Sequence, residues 1–452
     1  MTVGSLSPVE QRKSNVKNKQ IIAENAPLLP QTYSESVDVD FDEFNGASFS
    51  GAVFNLSTSI VGAGIMGLAA TMKILGLGPG IAMIIFMGFI TECTIGTMLK
   101  FSKPTNAVTY SALMKDSFGS TGGLLQICIV FNNLAALVVF MIIIGDVLSG
   151  TSSGGVHHFG VLEGLFGEQW WNGRTFVLLV TSLAILAPLA SFKRIDNNFP
   201  VISTDSMRYT LTLSVALAVV FDIITAGIAT MKIFDGNVEL PRWLPNVTDV
   251  TSFLKPFTAV PVLLLAYICH YNAHRITKEL QDTSEMHSIV RTSLVLCMVV
   301  YIATSCFCFL LFGESTLDDD LANFDVVRIC YAIHIMLVAP IIAFGLRLNL
   351  DGLLFPSAKP LVLDNKRFTI LTVVLIALIF IGATFIPSIW DVFQFGGATT
   401  GLSIALIFPA AVALKDRHGI ATKKDSILGI FMVVLAIFSS ALAIYSDAYS
   451  LF

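Results

Sequence analysis

Residues 48–72 read SFSGAVFNLSTSIVGAGIMGLAATM. The stretch is apolar apart from Asn55 and a few hydroxyls, and no charge appears before Lys73. A membrane-spanning helix needs about 20 such residues. Gly62, Ala63 and Gly64 fall near its middle. Glycine weakens a helix, and backbone freed at that depth is tolerated only against protein or a polar cavity. Interrupted helices of this kind hold the carboxylate and amine of small substrates on bare N–H and C=O groups. A close helix contact through small residues is the competing reading. The interruption is expected at Gly62–Ile65, with Ser59, Gly62, Ala63, Gly64 and Ile65 forming the floor of a substrate site.

The remainder of the chain follows the same solvent logic. Of 452 residues, 54% are apolar and 13% charged, where a soluble domain carries about 25% charge. Lipid is the solvent that fits. Eleven spans are expected, at 48–75, 79–101, 120–149, 174–191, 207–230, 257–280, 290–312, 324–347, 368–387, 390–414 and 427–449. The seven cysteines all lie in apolar stretches, which reads as small buried hydrophobes rather than a disulfide framework.

Positive charge orients the bundle. With the N-terminus in the cytosol, the far side receives only Lys73, Arg174, Lys232, Arg242, Lys255 and Arg328 out of 27 Lys and Arg. An odd number of spans then makes the C-terminus lumenal. Two long far-side loops are expected, about 150–173 and 231–256. The second carries Asn246-Val-Thr248, an N-glycosylation acceptor on the side where glycosylation occurs.

Residues 1–47 are polar and lack an apolar h-region, so no cleavable signal peptide is read there. They form an expected disordered cytosolic tail, separate from the transmembrane domain of 48–452. Within it Glu24-Asn-Ala-Pro-Leu28-Leu29 fits the acidic dileucine form that clathrin adaptors read. Glu24, Leu28 and Leu29 are therefore sorting candidates, and the destination is a vacuolar or lysosomal membrane.

If the spans form inverted repeats, a second interrupted helix belongs five spans after the first. That sixth span reads VPVLLLAYICHYNAHRITKEL, Val260 to Leu280. It contains Cys269-His270-Tyr271-Asn272 and no glycine, so Pro261 or the polar run has to supply the break. Cys269 and His270 join the candidate substrate site.

The FNLSTSIVGAGIMGLA stretch resembles the first helix of the amino acid/auxin permease family. Its branch of sodium-coupled neutral amino acid transporters and their vacuolar relatives is the most similar. Phe131-Asn132-Asn133-Leu134, Ile142-Ile143-Ile144-Gly145-Asp146, Ala266-Tyr267-Ile268-Cys269-His270 and Ala339-Pro340 leading to Arg347 are similar to that branch in order. The resemblance implies an all-α polytopic LeuT-type fold: two inverted five-helix repeats plus one helix, with the first and sixth interrupted. It also implies an amino acid substrate, and Asn133 is expected beside it.

Departures from the branch bear on the coupling ion. Sodium-coupled members carry Asn where this chain has Thr58, and a hydroxyl in the eighth helix. Here no Ser or Thr lies between Tyr331 and Asp351. Asn55, Ser57 and Ser59 remain for sodium. Intramembrane ionisable groups are costly and usually functional, which makes Glu92, Asp222 and His334 candidates for proton coupling. Histidine is the side chain that ordinarily titrates near neutral pH.

Other classes fit poorly. The net charge of −5 gives no basic surface for nucleic acid. No phosphate loop or nucleophile elbow suggests an enzyme, and no cofactor or metal site is read. An amino acid sensor signalling through its tail, or a sodium-coupled carrier at the plasma membrane, are the alternatives. An ion channel is disfavoured by the lack of a repeated pore loop.

Overall fold

The computed structural model describes residues 48–450 except 63, 106, 108, 154–155, 192–203, 236–241, 281, 313–324 and 387. The expected tail, with Glu24, Leu28 and Leu29, and the central Ala63 lie outside the described residues.

In chain order the helices are α1 (Phe49–Ile60), α2 (Gly64–Leu75), α3 (Leu77–Ser102), α4 (Tyr110–Phe118) and α5 (Gly123–Ser149). A hairpin of β1 (Gly150–Ser153) and β2 (Val156–Phe159) follows, antiparallel with Gly150 opposite Phe159. It sits in the first long loop and holds the only strands among the described residues. Then come α6 (Val161–Phe166), α7 (Arg174–Thr181), α8 (Ala187–Ala190) after one π-helical turn, α9 (Thr204–Phe234) and α10 (Val250–Leu254). The rest are α11 (Ala259–Ala266), α12 (His270–Glu279), α13 (Met286–Phe312), α14 (Asp325–Leu354), α15 (Asn365–Phe385), α16 (Ile389–Gly396), α17 (Phe408–Lys415) and α18 (Lys423–Ser450). Two π-helical turns at Gly397–Gly401 and Ser403–Ile407 join α16 to α17.

Among the described residues nine helical stretches are long and apolar enough to cross a membrane, and Arg174–Ala190 is a shorter apolar one. The first span completes the expected eleven; its two halves of 12 residues each fall short only because the helix is broken. Outward faces are apolar: Phe89 is 57% exposed, Val299 61% and Ile437 60%. Apolar bands of that extent on a monomer match a lipid environment.

Local chemistry fixes the ends. The Ser48 hydroxyl accepts from Gly51 N and starts α1, and the Asp364 carboxylate accepts from Arg367 N and starts α15. Such caps satisfy the orphan amides of a first turn. Gly76 joins α2 to α3 with φ +75, and a Cβ there would lie 2.9 Å from the Leu244 backbone. The loop after α9 closes over this turn, with Leu77 N donating to Arg242 O at 3.0 Å and Gly78 N to Trp243 O at 3.1 Å.

The eighth span was expected to end at Arg347, but α14 continues to Leu354 through Pro340. Arg347 is therefore buried at 2% exposure, donating to Ala190 O at 2.5 Å and to Thr372 Oγ1 at 3.0 Å over the Phe368 ring. Its stem and guanidinium pack on protein, so the positive charge does not mark the helix end.

Candidate substrate site

Both expected interruptions exist, five spans apart. The first lies earlier than the sequence suggested. Helix α1 stops at Ile60, Val61 is extended with ψ 112, and α2 resumes at Gly64. Gly64 and Ile65 are thus helical rather than unwound. A Cβ on Gly64 would meet Ala266 Cα and Cβ at 2.8 Å, whereas one on Gly62 meets nothing within 4 Å. Gly64 serves close packing and Gly62 the open break.

The second interruption occupies Tyr267–Cys269, between α11 and α12. Pro261 does not cause it; that residue sits buried inside α11. Tyr267, Ile268 and Cys269 contain no intrinsic breaker. The break follows from tertiary packing, because Ala266, the last residue of α11, is pressed against Gly64 of α2.

Helix α13 pins the first break with a row of donors one turn apart. Ser293 Oγ donates to Val53 O at 3.2 Å, Cys297 Sγ to Ser57 O at 3.7 Å, and Tyr301 Oη lies 2.8 Å from Ile60 O. Spacing of four residues keeps the three on one face. The same Tyr301 hydroxyl lies 2.8 Å from Ala266 O. Carbonyls at the C-terminal ends of both half-helices, where partial negative charge collects, therefore converge on one buried oxygen.

Sequence reading missed Tyr301, since a tyrosine in an apolar run is ordinary core. The visible signal was Ser293, Cys297 and Tyr301 at four-residue spacing. His274, one turn after His270, was missed as well. His270 Nε2 is 2.7 Å from Thr94 Oγ1, and His274 Nε2 is 2.7 Å from Ser102 Oγ. Thr94 already donates to Thr91 O and Ser102 to Met98 O. Each imidazole must then donate from Nε2, leaving Nδ1 as a buried acceptor without a partner among the described residues. His270 thus faces α3.

The other candidates divide into near and far. Asn133 Oδ1 accepts from Tyr271 Oη at 3.3 Å, which brings α5 to the first turn of α12 beside the second break. Cys269 is fully buried in that break. Thr58 and Ser59 donate to Asn55 O and Leu56 O of their own helix, and the Ser57 hydroxyl has no partner among the described residues. Asp222 of α9 accepts from Thr304 at 2.6 Å, three residues beyond Tyr301 on α13. His334 stacks on Tyr331 at a ring separation of 6.0 Å, and Phe221 packs against Tyr331 at 5.2 Å with the rings tilted by 36°. Glu92 is elsewhere, in a 2.8 Å ion pair with the largely exposed Arg291. Asn246 is exposed in the loop between α9 and α10. No group of three or more His, Cys, Asp or Glu able to hold a metal occurs among the described residues.

Comparison with known proteins adds the following. The profile of the family described as "Transmembrane amino acid transporter protein" matches residues 45–451. Amino acid transporter AVT6A of Arabidopsis thaliana is 56% identical over all of this chain and 98% of that protein. Amino acid transporter AVT6B of the same plant is 55% identical over 96% of each chain. A putative sodium-coupled neutral amino acid transporter 11 of Mus musculus is 26% identical, covering 90% of this chain and 87% of its own. Among solved structures, a manganese transporter of Eremococcus coleocola superposes with TM-score 0.50 at 11% identity, over 88% of this chain and 86% of that one. At that identity the likeness speaks for the fold alone, which is the LeuT type.

Proposed function

The chain belongs to the transmembrane amino acid transporter family, the amino acid/auxin permeases, and from that premise we propose a secondary carrier working by alternating access in a vacuolar or lysosomal-type membrane. The observation that carries the site is the meeting of the two breaks at Ile60 O and Ala266 O. Half-helix ends present carbonyls to a substrate ammonium and free amides to its carboxylate. Ser59, Gly62, Ala63, Gly64, Ile65, Asn133, Cys269 and His270 are the proposed surroundings of that substrate.

Flux is driven by protons rather than sodium in this reading. Thr58 replaces a family ion ligand, α14 offers no hydroxyl between Tyr331 and Asp351, and Asp222 and His334 supply titratable groups inside the bundle. An acidic lumen then drives export to the cytosol. The N-terminus is cytosolic and the C-terminus lumenal, Asn246 is glycosylated, and Glu24, Leu28 and Leu29 engage a clathrin adaptor.

Purified protein in proteoliposomes, offered a panel of labelled amino acids, tests this. Uptake should need no sodium and should rise when the donor side is acidified. A strict sodium requirement with indifference to pH would transfer the ion role to Asn55, Ser57, Ser59 and backbone carbonyls. Saturable binding without flux would favour the sensor, and pH-independent, sodium-independent flux would mean plain facilitation.

A further inference from the structure

We propose that Tyr301 is a positioning residue that holds the two half-helix carbonyls in register for a substrate ammonium. This rests on the transport reading above.

Ile60 O and Ala266 O each lie 2.8 Å from the same hydroxyl, so they stand no further apart than twice that distance. A phenol has one proton. It can donate fully to one carbonyl or be shared between them, and either way the pair is short of a donor. Both acceptors end half-helices whose dipoles place negative charge there. An ammonium group brings several donors and a positive charge, and it completes what the phenol leaves undone.

Preorganisation is also built in. Tyr301 is fully buried, and the Tyr267 ring from the second break packs edge-on against it at 5.2 Å and 69°. Ser293 and Cys297 set the phase of α13 against α1 on the two preceding turns. The hydroxyl therefore cannot leave one carbonyl without moving a helix. Without it, two like partial charges face each other with nothing between them, and the ends move apart.

The test compares binding of an amino acid with that of its α-hydroxy analogue, which lacks only the ammonium. Melting-temperature shifts are titrated for purified wild-type and Tyr301→Phe protein with each of the 20 standard amino acids, followed by the α-hydroxy acid of each that binds. Wild type should prefer the amino acid, and Tyr301→Phe should shrink that preference about tenfold, roughly the net worth of one hydrogen bond to a charged group. A ratio is independent of how much protein accumulates, so a merely structural role leaves it unchanged; an unchanged ratio overturns the proposal while leaving the transport reading intact. Ser305→Ala removes a buried hydroxyl one turn further along the same face and should not alter the ratio. If it alters it equally, the effect is loss of packing and the proposal falls. Should Tyr301→Phe fail to accumulate, Tyr301→His carries a shorter ring donor unable to span both carbonyls, and the same drop is required of it. Wild type that binds no amino acid overturns the transport reading, and this inference with it.

Discussion

Gly64 and Ala266 touch across the two broken helices so closely that a methyl group on the glycine would lie 2.8 Å from the alanine Cα. The contact is backbone against backbone, and no flexible side chain can yield. Overpacking of this kind costs about 1–3 kcal/mol where the structure can shift at all. It also locks the second break to the first, since Ala266 is the residue at which α11 stops.

Gly64→Val should therefore abolish amino acid uptake in proteoliposomes while protein abundance and location change little. Gly227→Ala, in α9, should retain uptake within about twofold of wild type, because a Cβ there meets nothing within 4 Å. Equal loss in both variants would assign the effect to general helix disruption.

The break positions show what the sequence does and does not disclose. Gly62, Ala63 and Gly64 announce an interruption in the first span, and α1 stops at Ile60, two residues before the start of the expected one. The second break carries no such mark. Tyr267, Ile268 and Cys269 are ordinary helix residues in an apolar run, and the force that stops α11 comes from Gly64 and Tyr301, distant in sequence. Candidate side chains follow the same division. Asn133 was legible through the family resemblance and His270 within the polar run of the sixth span, but their partners Tyr271 and Thr94 become apparent only once α5 and α3 are packed.

Asp222 and Thr304 carry the pH prediction. The Thr304 hydroxyl lies 2.6 Å from Asp222 Oδ1 and 2.9 Å from Val300 O, two acceptors for one proton. The conflict vanishes when Asp222 carries a proton and donates to Thr304. Asp222→Asn keeps that donor permanently, so net uptake should lose its dependence on a pH gradient, while exchange at equal concentrations continues. His334→Gln is the parallel test for the neighbouring stack. Net uptake that still follows the gradient in both variants would remove these two residues from the coupling path.

Thr94→Val deletes the acceptor of the buried His270 Nε2 proton. A buried donor left without a partner costs about 1–3 kcal/mol. The variant should melt several degrees below wild type in detergent. Unchanged melting would mean that His270 reorients to another acceptor.

Leu28→Ala combined with Leu29→Ala should redirect a tagged protein from the internal membrane to the plasma membrane. Retention inside the cell would make the Glu24–Leu29 stretch incidental to sorting.

The absence of a local breaker in Tyr267–Cys269 also has a consequence for assembly. During insertion each span meets lipid before it meets its neighbours, and in lipid an unbroken helix is the form that satisfies every amide. The sixth span should therefore enter the bilayer as one continuous rod and fracture only when Gly64 and Tyr301 close on Ala266. A peptide of residues 257–280 in micelles should accordingly be helical throughout, and the candidate substrate site is among the last features of the molecule to mature.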